Sequence, residues 1–209
     1  MRNNKEHGPN CGCSECILGV NDLIVDLSSS INKEQIYAYN EKIQGNCKKI
    51  FKSKENKLDK NDFTESVDGD PELLIYIPFI TQSKIRSMTL IGGEEGTSPS
   101  CVKLYVNQEN PDFDLAESTP TQEIDCIEDP NGEKQYMLSP IKFGSVWSVT
   151  LIVTGNFSGN NSKIYYIGFE GIATKKKQRY LVGTYELNPL PGTMKRIGEQ
   201  EPKNSSVYG

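Results

Sequence analysis

This chain is poor in the groups that most often carry protons in enzymes. It has one histidine, His7, among 209 residues. A Ser-His or Cys-His arrangement needs its base held within hydrogen-bond reach of the nucleophile. A catalytic zinc site usually draws on more than one histidine. His7 lies in a polar stretch without periodicity, which does not hold a base in place, so no enzyme activity is expected. Long apolar runs are also missing, and none approaches the roughly 20 residues that a membrane helix needs. The N-terminal MRNNKEHGPN has no apolar core of a secretory signal. The expected compartment is therefore reducing, cytoplasmic and nuclear, and the six cysteines (11, 13, 16, 47, 101 and 126) are read as thiols. There is no basic excess either. The formal charge is -5, so nucleic acid is not an expected partner.

What is present reads mostly in twos. In FTESVDGDPELLIYIPF, Phe63 to Phe79, an acidic turn leads into a run with Leu73, Ile75, Ile77 and Phe79 on one face. Leu74, Tyr76 and Pro78 fall on the other, as successive side chains of a strand must. Pro78 cannot donate to a ladder, so it is expected near the strand's end or at an edge. Further strands are expected at Ile85–Ile91, with Ile85 and Ile91 opposed to Met88 and Leu90, and at Val102–Val106. Another row joins Trp147, Val149, Leu151 and Val153, followed by Lys163–Phe169 and Tyr180–Leu187. One short helix is expected near the N-terminus, capped by Asn32 with Gln35 three residues on and ending near Asn40. Gln108–Glu123 reads as a loop pinned by Phe113 and Leu115. The body runs from 18 to 191 between polar tails at 1–17 and 192–209. The fold class expected is all-β, an antiparallel β-sandwich or jelly roll.

Four groups of residues are candidates for chemistry or recognition. His7, Cys11, Cys13 and Cys16 in HGPNCGCSEC carry zinc-ligand chemistry, although Cys-Gly-Cys is a tight spacing for one tetrahedral ion. The tail's composition reads first as solvated thiols, with zinc ligation the alternative, and no other cofactor is expected. Asp68, Asp70 and Glu72 do not match a calcium loop and read as a solvated turn. Phe113, Asp114 and Glu117 in the long loop, with the basic run Lys175, Lys176, Lys177 and Arg179, complete the candidate protein-binding surfaces. Such loops are where sandwiches carry recognition, although each reads first as a solvated surface.

Several stretches also resemble one family. FTESVDGDPELLIYIPF, LIVDLSSSINKEQIYAYNE, CVKLYVNQENPDFDLAESTPTQEI and KFGSVWSVTLIVTGNFSGNNSKIYYIGFEG are similar, in the same order, to segments of the PITH (proteasome-interacting thioredoxin) domain. The resemblance spans roughly Leu18 to Pro191. It implies a galactose-binding-like jelly roll and a partner, the regulatory particle of the proteasome. With only about 17 residues before the match, the chain resembles freestanding members that lack the thioredoxin module. Thioredoxin-linked members end in a histidine that reaches the zinc of the proteasome's deubiquitinating subunit; NSSVYG at 204–209 has no counterpart.

The expected function is thus a monomeric, non-catalytic interaction module. Its rivals are a small-ligand, carbohydrate-like binding sandwich and a metal or thiol protein acting through the N-terminal cysteines. Metal analysis of protein purified without chelator separates the last of these. Less than stoichiometric zinc is expected, whereas one zinc per chain that disappears on deleting residues 1–17 would assign the ligation.

Overall fold

The computed structural model describes residues 23–157 and 160–177, and for 175–177 the backbone only. Both expected tails and the strand expected at Tyr180–Leu187 lie outside the described residues. Nine strands form one continuous hydrogen-bonded set among the described residues. They are β1 (Val25–Asp26), β2 (Tyr37–Tyr39), β3 (Thr64–Glu65), β4 (Leu73–Gly92), β5 (Pro99–Val106), β6 (Gln122–Asp125), β7 (Tyr136–Met137), β8 (Val146–Asn156) and β9 (Lys163–Lys177). Every pairing between them is antiparallel.

Two layers follow from how β4 pairs. Its first part, Leu73–Pro78, lies between β2 and β8, and β5 and β6 extend that layer. Its second part, Thr81–Gly92, lies against β9, with β7 on its other side and β1 and β3 beyond β9. The register breaks between Pro78 and Ser83, where β4 leaves β8 and turns into the second layer. Strands that change sheets do so at bends of this kind. Pro78 is therefore neither at the end of a strand nor at an edge. It sits inside a 20-residue strand, paired with Ser148 of β8 at the last position before the register break. Its carbonyl still accepts from Asn32 N at 2.8 Å.

Alternation fills the space between the layers. Leu73, Ile75 and Ile77 of β4, Val102 and Leu104 of β5, and Val149, Leu151 and Val153 of β8 face Met88, Leu90, Ile167 and Phe169 of the second layer in one core. Phe79 meets Phe169 edge-on, with ring centroids 6.0 Å apart, at the corner itself. The segment before β3 closes one side, burying Leu27, Ile31, Ile36, Ile50 and Phe51 completely or nearly so.

Three local expectations are corrected. The short helix is a 3-10 turn, Lys33–Gln35, followed at once by strand β2. Asn32 does not cap it; its side-chain amide donates to Gln35 Oε1 instead, at 3.0 Å. Ile85 shares the core face with Met88 and Leu90, while Ile91 does not. The register with β9 shifts between Ile85 and Ser87, and one extra residue in a strand moves everything beyond it to the opposite face. Trp147 is only half-buried and lies outside the core that holds Val149, Leu151 and Val153, Val146 taking the inward position at the start of β8.

The bulge also explains Gly171, which pairs with Ile85. A Cβ there would run into the Lys84 carbonyl oxygen and the Ile85 backbone, neither of which can swing aside. Urea unfolding should therefore separate three substitutions. Ile75→Ala is expected to cost about 2–5 kcal/mol as a core cavity. Gly171→Ala should cost about 1–3 kcal/mol through overpacking against backbone. Ile141→Ala, at a residue 94% exposed, should stay within about 0.5 kcal/mol of the parent.

Candidate interaction surfaces

The acidic turn before β4 is tied down by its own short side chains. Asp70 Oδ1 accepts from Glu72 N at 3.0 Å, and Ser66 Oγ donates to the Asp70 carbonyl at 2.5 Å. Asp68 is exposed and pairs with Lys42 at 2.8 Å, which raises the lysine's pKa. Asn40, held at φ 63°, donates to the Glu72 carbonyl at 2.7 Å. The turn is thus a solvated corner with its hydrogen bonds mostly local. Among the described residues no cluster of three or more His, Cys, Asp or Glu side chains is arranged to hold a metal ion.

The long loop is pinned as its sequence suggests, but as a 3-10 turn, Phe113–Glu117. Phe113, Leu115 and Ala116 cover Leu74, Tyr105 and Ile152 on the outer face of the first layer, forming a second, smaller core. Lys103 Nζ donates to the Ala116 carbonyl at 3.1 Å, and Tyr105 Oη to Ser118 O at 3.3 Å. Phe113 therefore faces the sheet, while Asp114 and Glu117 project into solvent. The backbone of Lys175–Lys177 ends β9, where Lys177 pairs with Thr81. Arg179, His7, Cys11, Cys13 and Cys16 lie outside the described residues. Leu73, just after the acidic turn, and Thr81 are eight residues apart along β4 and belong to different layers. The Phe113 turn packs on Leu74, two residues beyond Glu72, on the first layer, whereas the Lys175–Lys177 backbone pairs on the second.

Two features were missed by reading the sequence. The first is a tyrosine ladder at the β2 edge: Tyr37 stacks on Tyr76 with centroids 4.9 Å apart, and Tyr39 meets Tyr37 edge-on at 5.5 Å. Burial and the neighbouring Tyr39 and Tyr76 push the Tyr37 pKa up to about 12. The alternation Tyr-Ala-Tyr was its signal, lost when the segment was read as helix.

The second is a polar cleft of about 280 Å³ on the outer face of the second layer. Its floor is Tyr166 and Gly168 of β9 with Thr89 of β4; Asp26, Lys54 and Glu170 form one wall. The ring of Tyr166 lies flat over Gly168, in the space a Cβ would take. Lys54 Nζ pairs with Glu170 Oε1 at 2.6 Å, and Gln135 Nε2 donates to Glu170 Oε2 at 3.2 Å. Asp26 accepts from the backbone N–H groups of Ser28 and Lys54 at 2.9 and 3.1 Å. Lys57 Nζ donates to the Gly132 carbonyl at 2.8 Å. Burial first, then the negative charges of Asp26, Glu170 and Glu55, push the Tyr166 phenol well above the usual tyrosine range. No motif announces this site, because its residues come from five segments far apart in sequence.

The described cysteines are free thiols. Burial, with Glu41 beside it, pushes Cys47 up to about 12, and burial pushes Cys126 up to about 12. Cys101 is also raised, mainly by burial, but is only half-buried.

Comparison with known proteins bears on the whole body of the chain. The PITH domain family model matches residues 21–189. A PITH domain-containing protein of Caenorhabditis elegans is 34% identical over 183 residues, covering 86% of this chain and 88% of its own. PITH domain-containing protein 1 of Dictyostelium discoideum is 38% identical over 181 residues, covering 86% of this chain and 89% of its own. The human PITH domain-containing protein 1 is 30% identical, covering 77% of this chain and 76% of its own. Among solved structures, the family 32 CBM from Clostridium perfringens NanJ, in complex with galactose, aligns with a TM-score of 0.50 at 12% identity. It covers 71% of this chain and 99% of that one, a likeness of fold: the galactose-binding-like β-sandwich.

A thiol whose folded pKa lies above its ordinary 9.0 favours the folded state at lower pH. The contribution of Cys47 and Cys126 is fully present below 9 and is lost as pH climbs toward 12. Urea midpoints should be insensitive to these groups from pH 7 to 9 and fall above it. Replacing both by Ala should flatten that fall. In native protein at pH 8, Cys101 should alkylate well before Cys47 or Cys126, read by peptide mass spectrometry.

Proposed function

The chain belongs to the PITH domain family, and on that premise we propose that it is a non-catalytic protein-interaction module. In this reading it binds the regulatory particle of the proteasome as an adaptor or regulator, in the cytoplasm and nucleus. The observation that carries the reading is the family match across residues 21–189, since the partner is one that the family resemblance implies. The chemistry of the described surface supports the non-catalytic part. Two of the three described thiols are buried and held mainly protonated at neutral pH, the opposite of an activated nucleophile. Exposed carboxylates such as Asp68 and Glu94 are matched to lysines in simple surface pairs.

A carbohydrate-binding role draws on fold alone, and fold does not fix function. The cleft argues against it. A sugar needs an aromatic face to stack on, and Tyr166 is 3% exposed with its ring laid on Gly168.

Affinity capture of the tagged full chain from its own cells, followed by mass spectrometry, tests the reading. Recovery of regulatory-particle subunits at low and moderate salt is expected. Their absence under both conditions would sink the named partner while leaving the fold and family untouched.

A further inference from the structure

Tyr166 is the most telling group on the second layer's outer face. Its side chain is 97% buried by relative exposure of 3%, and it lines the cleft. Its hydroxyl forms no hydrogen bond to protein among the described residues, and its oxygen overhangs Gly168 at the cleft, where solvent reaches it. A phenol oxygen open to a cleft can accept from a donor that enters it.

We infer that the cleft is a socket for one side-chain cation, a lysine ammonium or an arginine guanidinium, presented by a protein partner. Three observations converge on it. The first is size. At about 280 Å³ the cleft falls below the roughly 300–1,000 Å³ of sites for whole small molecules, and suits a single side chain. The second is charge. Three carboxylates, Asp26, Glu133 and Glu170, line it against two ammonium groups, Lys54 and Lys57. Both ammonium groups are already engaged, Lys54 with Glu170 and Lys57 with the Gly132 carbonyl, so they offer little to an anion. The third is the field at Tyr166, where Asp26, Glu170 and Glu55 all act as negative charges on the phenol oxygen. A cation lodged there would take the phenol oxygen as acceptor and share Glu170 with Lys54.

Gly168 keeps the socket open. With any larger residue the Tyr166 ring would be lifted off β9 and into the cleft. Lys54 is the internal competitor. It lies half in solvent and satisfies Glu170 while no guest is present, so a guest must displace or share it. This makes an unusual prediction, because removing Lys54 should help the guest although it destroys an ion pair.

The inference rests on the protein-interaction reading only for the origin of the cation; the cleft's own affinity is measured with no partner present. The test is a titration of the full-length, isotope-labelled chain followed by amide NMR at low salt. The probes are N-acetyl-arginine amide and N-acetyl-lysine amide, with N-acetyl-citrulline amide as a neutral control of similar shape. Saturable shifts at Gly168, Gly132 and the Gln135 side-chain amide are expected for one or both cations, with affinities on the order of 1–10 mM for such small fragments. The stronger of the two identifies the source residue. Citrulline should produce none. Glu170→Gln and Tyr166→Phe should each weaken binding about threefold to tenfold, as loss of one charge-assisted contact does. Lys54→Met should strengthen it about threefold or more, an effect that a merely structural ion pair would not produce. Equal binding of citrulline, preferential shifts with inorganic phosphate, no localised shifts up to about 50 mM probe, or unchanged affinity in all three variants would each overturn the inference. Loss of the cation site would leave the captured partner to be judged separately.

Discussion

Strand β4 is hydrogen-bonded in both layers, and almost every other element is placed by which half of it pairs. Residues Leu73–Pro78 carry β2 on one side and β8 on the other, while Thr81–Gly92 carries β9 and β7. The chain accomplishes the change with a proline, which cannot donate to a ladder, and a register break that follows it directly. Phe79 and Phe169 fill the corner from the two layers. Damage at this corner would therefore loosen both sheets at once, whereas damage to β6 or β7 removes only a flank.

The outer faces of the two layers are treated differently, and that difference sets where function can reside. On the first layer, the 3-10 turn from Phe113 seals Leu74, Tyr105 and Ile152 from water, while the tyrosine ladder stands at the β2 edge. On the second, β1 and the loops that carry Lys54 and Gln135 rise around Tyr166 and enclose polar rather than apolar space. Carboxylates near these faces mostly hold loops. Glu41 accepts from Gly45 N at 2.8 Å, Cys47 N at 2.5 Å and Thr64 Oγ1 at 2.6 Å, fastening the segment that caps the core. Glu170 differs, since both of its partners, Lys54 and Gln135, are exposed side chains on the rim of a cleft.

Alternating patterns were legible wherever the strand register ran unbroken. Leu73, Ile75 and Ile77 against Leu74, and Val149, Leu151 and Val153 against Thr150, separate inside from outside as their spacing dictates. The misreadings cluster where an extra residue or a change of partner intervenes. Ile85 and Ile91 look alike in sequence and face opposite ways because a bulge stands between them. Tyr37 and Tyr39 fit a short helix by local propensity, but pairing with Tyr76 and Leu74 of β4 outweighs one marginal turn of helix. Phe113 was read as an anchor, and it is one; no local signal fixed the face it anchors to.

By itself the sequence determined the fold class and the family, because both rest on side-chain periodicity and on ordered stretches that survive without knowledge of contacts. Only the tertiary structure decided which polar side chains share a cleft. Asp26, Lys54, Gln135 and Tyr166 with Glu170 are separated by up to 144 residues, and nothing in their local neighbourhoods marks them as a group. They become a site when β4 brings β9 and its flanking loops together, since charge and burial act through distance in space.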